Sequence, residues 1–149
     1  MAIRADVHVN SQRLVILPPL TISTAISATA TTPITNLGGM SYLAVEAVFL
    51  YGSGGTNANV YIQTSLDGGL SWIDIMEFVF TTSALTKVNS TSIYQTSASP
   101  YAPITPSDGS LTASTAVPGI LGDRIRAKYV TTGTYGGATS LALYAVVKG

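Results

Sequence analysis

The stretch from Ser41 to Phe80 reads as one long β-hairpin, and its turn, Ser65-Leu66-Asp67-Gly68-Gly69-Leu70-Ser71-Trp72, fits the Asp-box pattern S-x-D-x-G-x-x-W. Val60, Ile62 and Thr64 alternate with Tyr61, Gln63 and Ser65 before the turn, and Trp72 to Phe80 supplies the return strand. Alternation with period two is the signature of a pleated strand, and two such runs around a glycine turn close as antiparallel neighbours. Tyr42 to Tyr51 is apolar on both faces apart from Glu46, which predicts a central strand covered on both sides. Gly52-Ser53-Gly54-Gly55-Thr56-Asn57 is turn chemistry, because Gly and Asn accept positive φ at little cost.

The flanking sequence continues in the same style. Ile3 to Val9 alternates weakly, and Leu14 to Leu17 forms a short strand halted by Pro18-Pro19, a pattern suited to an edge or an arm. Leu20, Ile22, Thr24 and Ile26 share one face of the next candidate strand. Thr86 to Tyr94 is a polar strand candidate. Residues 97–119 hold Pro100, Pro103, Pro106 and Pro118 in a Ser/Thr/Gly background, which predicts a long exposed connection with one short strand at Ser110 to Thr115. Arg124 to Thr131 and Thr139 to Val147 close the chain as strands. Without a helical period, these elements predict an all-β antiparallel β-sandwich, jelly-roll-like, with an immunoglobulin-like topology as the second candidate. No repeat at fixed period is present, which argues against a propeller. The expected organisation is an N-terminal arm or edge strands over residues 1–35 and a sandwich domain over 36–149.

Composition sets the surface chemistry. Charged residues are 9% of the chain, where an ordinary domain has roughly 25%, and seven basic side chains balance seven acidic ones. Twenty Thr, 16 Ser and 14 Gly fill the outward positions instead. A net charge near zero provides no field to attract nucleic acid and lowers the barrier to self-association. Cysteine is absent, so neither disulfides nor thiolate metal sites are available. The N-terminus is read as retained and not as a signal peptide, because Pro18-Pro19 interrupts its apolar run and Asp6 sits where a basic region belongs. No run approaches the roughly 18 apolar residues of a membrane-spanning helix.

Candidate chemistry is sparse. In the β proteins where the Asp box recurs, sialidase-like propellers among them, it stabilises a hairpin. That assigns Ser65 and Asp67 to bonding the backbone of the turn and Trp72 to packing beneath it, with Gly69 as the pattern's glycine; a single copy implies neither a sialidase nor a sugar site. His8 is the one histidine, and with Asp6 and Asn10 it makes poor zinc chemistry. A Ser-His-Asp triad would have to use that same His8, and no G-x-S-x-G elbow is present. Glu46, Asp74 and Glu77 are the carboxylates to weigh as a glycosidase-like pair, but Asp74 and Glu77 are an odd number apart and point to opposite faces of a regular strand. No catalytic, cofactor or metal site is assigned. Arg124, Arg126 and Lys128 alternate strictly and form a basic stripe opposite Ile125, Ala127 and Tyr129, a solvated face or a contact with acidic groups of a protein partner. Tyr94, Tyr101 and Tyr135 lie near loops and are the aromatics to test for sugar stacking.

Three segments carry a resemblance: Leu43-Ala44-Val45-Glu46-Ala47-Val48-Phe49, the run Val60 to Trp72, and Gly122-Asp123-Arg124-Ile125-Arg126-Ala127-Lys128-Tyr129 followed by Thr132-Gly133-Thr134-Tyr135. In style and order they resemble the small Ser/Thr/Gly-rich β-sandwich proteins of tailed-bacteriophage virions, over roughly the last two-thirds of the chain. The resemblance implies a non-enzymatic virion structural protein, a head decoration or cement protein or else a neck or tail component. It further implies the major capsid protein or other virion proteins as partners, a homo-oligomer with a trimer favoured, and synthesis in the host cytoplasm before assembly. Neither nucleic acid nor membrane is an expected partner; a surface glycan belongs to the alternative reading as a carbohydrate-binding module.

Overall fold

Alternation decides which side of each strand turns inward, and the outcome is two antiparallel sheets packed over a shared apolar layer. The computed structural model describes residues 11–23, 25, 30–94 and 102–149. Its strands are β1 (Ser11–Thr21), β2 (Ala30–Thr31), β3 (Thr35–Asn36), β4 (Tyr42–Leu50), β5 (Ser53–Gly54), β6 (Asn57–Ser65), β7 (Ile73–Phe80), β8 (Leu85–Ser92), β9 (Arg124–Thr132), β10 (Tyr135–Gly136) and β11 (Ser140–Lys148). The first sheet runs β1-β11-β4-β8 and the second β2-β9-β6-β7, with β3 also on β9; β5 and β10 form a two-stranded ribbon.

Taking β2 and β3 as one interrupted strand, the antiparallel pairs nest: β1 with β11, β2/β3 with β9, β4 with β8, β6 with β7. These pairs alternate between sheets, so the chain is one long double ribbon rolled around its core, the jelly-roll arrangement. Between the sheets lie Leu43, Val45 and Phe49 of β4, Leu141 and Leu143 of β11, Val60 and Ile62 of β6, Met76, Phe78 and Phe80 of β7, and Ile125 of β9. Phe49 stacks on Phe80 at 5.0 Å and meets Tyr135 edge-on at 5.6 Å. Ile16 and Leu17 of β1 and Ile22 belong to the same core, so residues 11–23 are built into the sandwich as its edge.

The hairpin is shorter than the sequence suggests. It comprises β6 and β7 alone, whereas β4 crosses to the other sheet and pairs with β8 and β11. Close backbone packing at the intervening corner explains the crossing. A Cβ on Gly52 would lie 1.8 Å from the Gly137 carbonyl oxygen, and one on Gly55 2.3 Å from the Tyr135 ring. β4 is central, as expected, and its inward side is buried, but no strand of the described residues packs on its outward side.

β1 passes straight through Pro18-Pro19 instead of halting there, with register shifts between Val15 and Leu17 and between Leu17 and Leu20. An edge strand tolerates proline because its outer N–H groups have no ladder partner to lose. Ser110 to Thr115 is not a strand. Its neighbours instead lie along the free edge of β7, where Glu77 donates its N–H to the Thr115 carbonyl, Val117 donates to the Ile75 carbonyl, and Met76 bridges Ala116. The expected strand at Ile3 to Val9, with Thr24 and Ile26 of the next one, falls outside the described residues.

Candidate functional site

Within the Asp box, the Asp67 carboxylate accepts from the N–H groups of Leu70 (3.0 Å) and Ser71 (2.9 Å) and from the hydroxyls of Ser65 (2.9 Å) and Ser71 (2.6 Å). Ser65 Oγ accepts from the Gly69 N–H at 2.8 Å. These bonds favour the charged carboxylate, those from Ser71 most of all, and hold its pKa down at about 2. Gly68 and Gly69 take φ of 75° and 95°, and Trp72 is buried against the turn. Ser65, Asp67, Gly69 and Trp72 are thus brought together as a turn.

From this turn a polar network spreads over the outer face of the second sheet. Asp74 Oδ2 accepts three successive backbone N–H groups of the long loop, from Gly109 (2.7 Å), Ser110 (2.9 Å) and Leu111 (3.2 Å), while Oδ1 accepts from Gln63 Nε2 at 2.8 Å. Gln63 also donates to Asp108 and accepts from Arg126 Nε, both within 2.8 Å. Arg126 lies over the Trp72 ring at 4.3 Å, and Lys128 reaches Asp108 at 2.7 Å. Arg124 donates to the Gly68 carbonyl at 2.5 Å. Hydrogen bonds from Lys128 and Gln63 lower the Asp108 pKa, and burial lowers that of Arg126 against the opposing pull of Asp108 and Asp74. The basic stripe therefore lies on one face, as its alternation requires, and its Lys128 pairs there with Asp108 of the same chain.

The three carboxylates are not all brought together. Glu46 is exposed on the first sheet, whereas Asp74 and Glu77 are buried on the second. The odd spacing of Asp74 and Glu77 misleads, because Gln63 pairs with Asp74 and Ile62 with Met76, leaving Ile75 as a bulge residue. One extra residue reverses the parity and puts both carboxylates on the same side. Glu77 Oε1 accepts from Asn59 Nδ2 at 3.0 Å, and burial raises the pKa of neighbouring Tyr61. Among the described residues no group of three His, Cys, Asp or Glu side chains is placed to hold a metal ion, and His8, Asp6 and Asn10 lie outside them. Nor do the described residues include a helix long and apolar enough to cross a membrane.

Two concavities of similar size lie on the outer faces. One, of about 650 Å³, lies beside the network between Leu70, Trp72, Pro106, Asp108 and Arg126. The other, of about 670 Å³, lies on the outer face of the first sheet between Arg13, Val15, Ala44, Glu46, Val88 and Tyr144. That face exposes Val15 (58%), Leu50 (55%) and Val88 (72%). Of the tyrosines singled out for sugar stacking, Tyr94 is 77% exposed, Tyr135 is only 1% exposed with its hydroxyl bonded to the Thr81 carbonyl, and Tyr101 is outside the described residues. Sequence reasoning passed over Gln63 and Asp108; an Asp-Gly dipeptide such as Asp108-Gly109 signals a turn, and nothing in it points to Lys128 as the carboxylate's partner. It also passed over the uncovered face, although the two-sided apolarity of β4 pointed there.

Fold and site together define an antiparallel β-sandwich whose buried polar groups hold its own chain together. No family model matches the sequence, and no curated protein matches it. A solved structure described as "CBM4 structure and function" aligns over 88% of this chain and 70% of its own, with a TM-score of 0.41 and 11% identity.

Proposed function

We propose that this protein is a non-enzymatic structural component of a virion, a capsid decoration or cement protein that stabilises a phage head through protein–protein contacts. The observation that carries this reading is the outer face of the first sheet, apolar, nearly uncharged and, among the described residues, uncovered, on a molecule whose buried Asp74 braces a loop. A face of this kind belongs against another protein, since soluble monomers seldom leave contiguous apolar patches bare. The bacteriophage resemblance favours the major capsid protein as the partner and the assembled particle as the location; a neck or tail position uses the same contacts. The test is co-sedimentation of the purified protein with capsid shells lacking it, followed by cryo-EM of the decorated particle. Saturable binding at fixed lattice positions supports the proposal, and failure to bind shells, necks or tails refutes it.

A carbohydrate-binding reading draws on the depression of about 670 Å³ on the same face. It is the weaker of the two, because Tyr144 is the one aromatic lining it and stacking sites use broad aromatic platforms. Glycan-array binding by a monomer, abolished in Tyr144→Ala, would establish it instead.

A further inference from the structure

We infer that the free edge of β8 pairs with the β8 edge of a second copy across a two-fold axis, Val88 opposite Val88, joining the first sheets of two molecules into one. The contact is an edge, so it leaves the outer face to the partner proposed above and does not rest on that reading. Backbone pairing singles out this edge. β1 carries Pro18-Pro19 and two register shifts along its edge, and the β2–β3 edge is broken between Thr31 and Thr35 around Pro33. On β7 the outward groups are taken: Asp74 and Glu77 donate to the Ser107 and Thr115 carbonyls, while the Ile75 and Val79 carbonyls accept from the Val117 N–H and from Lys87 Nζ.

β8 is open from Leu85 to Ser90. The Ile93 N–H donates to the Ser41 carbonyl, which fixes the phase of the ladder with β4. Leu85, Lys87, Asn89 and Thr91 turn their backbone groups to β4, so Thr86, Val88, Ser90 and Ser92 turn theirs away from it. Gly119 donates to the Ser92 carbonyl, and Asn89 Oδ1 accepts the Ser90 N–H at 2.8 Å. Among the described residues nothing bonds the outward groups of Thr86 and Val88 or the Ser90 carbonyl. Native sheets often guard such an edge with an outstretched lysine. Lys87, the single charge on β8, is instead drawn inward to the Val79 carbonyl at 2.6 Å and over the Phe80 ring. Val88, next to it, is 72% exposed.

The edge is complementary to itself in one register. With the axis through Val88, each Val88 exchanges N–H and C=O with its counterpart, and Thr86 does so with Ser90 of the other copy, the Ser90 N–H changing over from Asn89. Every open group then gains a partner, twice over, because an isologous contact repeats each interaction. Thr86 meets Ser90 on the outer side, and Lys87 stands opposite Asn89 on the inner. An axis through Lys87 would set the two lysines against each other, and one through Asn89 would set Thr86 against Ser92, whose carbonyl Gly119 already holds. Beneath the edge, a crevice of about 310 Å³ between Phe78, Asn89 and Ser114 leaves room for the other copy's inward side chains. A strand edge buries less than a standard interface, so the dimer is weak in dilute solution and tightens where a scaffold holds copies side by side.

Cysteine cross-linking of the full-length protein tests the register, since the chain has no cysteine of its own. Hydrogen-bonded neighbours stand about 5.5 Å apart at Cα, within disulfide reach. Under mild oxidation at about 1 mM protein, Val88→Cys should link to itself, and Thr86→Cys should link to Ser90→Cys in a mixture but neither to itself. Sedimentation equilibrium over a concentration series should show monomer and dimer, the association weakened at least about tenfold in Val88→Pro. That substitution removes an outward N–H and leaves the ladder to β4 whole. A wild type that stays monomeric to about 1 mM overturns the inference, as does a trimer, or Val88→Cys linking no faster than Thr86→Cys alone. Shell binding without dimerisation refutes the edge contact and leaves the assembly reading standing. Dimerisation in this register by a protein that binds no virion component does the reverse.

Discussion

The two outer faces of this sandwich are opposites. On the second sheet every member of the Arg124, Arg126 and Lys128 stripe has an intramolecular partner, and a loop crosses the face to be gripped by Asp74. On the first sheet the outward residues are mostly aliphatic or small, the exposed Arg13 and Glu46 form no ion pair among the described residues, and no strand of those residues covers them. Among the described residues, the chain braces one face with its own polar groups and leaves the other without a covering element. A face whose polar groups hold one another resists substitution, whereas an exposed apolar face tolerates it in the monomer.

Substitutions on the two faces test that contrast. Asp74→Ala removes the buried carboxylate that three part-buried N–H groups of the loop share; the expected loss is about 2–3 kcal/mol in urea denaturation, and less than about 1 kcal/mol would break the contrast. Arg126→Ala removes the cation over the Trp72 ring and the donor to Gln63. It should cost about 1–2 kcal/mol and change the emission of Trp72, the sole tryptophan; an unaltered spectrum would show that the stacking is not maintained in solution. Val88→Asp, on the opposite face, should stay within about 0.5 kcal/mol of wild type in the monomer.

Acid should act first on the completed face. The carboxyl pKa values of Asp67 and Asp108 are depressed in the folded state, so the stability they contribute is present above the unfolded value near about 4 and is lost as pH falls through the folded values, about 2 for Asp67. Protection factors in the loop beside Asp108, at Gly109, should fall as pH drops below about 4 while those of the β4 and β11 amides are kept. Simultaneous loss of protection in both regions would show that the loop latch is no separate unit.

Much of the sandwich was legible in the sequence because strands write themselves locally. The alternation of Val60, Ile62 and Thr64 and the Asp-box spacing need only neighbours along the chain. What stayed hidden depends on distant partners or a change of parity. The crossing of β4 is set by Gly52 lying against Gly137, and no local pattern distinguishes that corner from a hairpin turn. Asp74 and Glu77 were assigned to opposite faces because the bulge at Ile75 cannot be read from spacing. The contact between Asp108 and the stripe joins a loop to a strand across 20 residues, and only the fold reveals it.

The nesting of the strand pairs has a consequence for how the molecule forms. Between β6 and β7 alone do paired strands follow one another through a turn of a few residues; every other pair must close a longer intervening chain, and β1 must find β11 across nearly the whole sequence. Closing the long pairs costs chain entropy before any contact repays it, so slow folding that starts at the tip is the expectation. The Asp box sits at that tip. A nucleus at that tip predicts that Asp67→Ala slows refolding by nearly the full factor by which it lowers stability; an unchanged refolding rate with faster unfolding would place the turn's formation late.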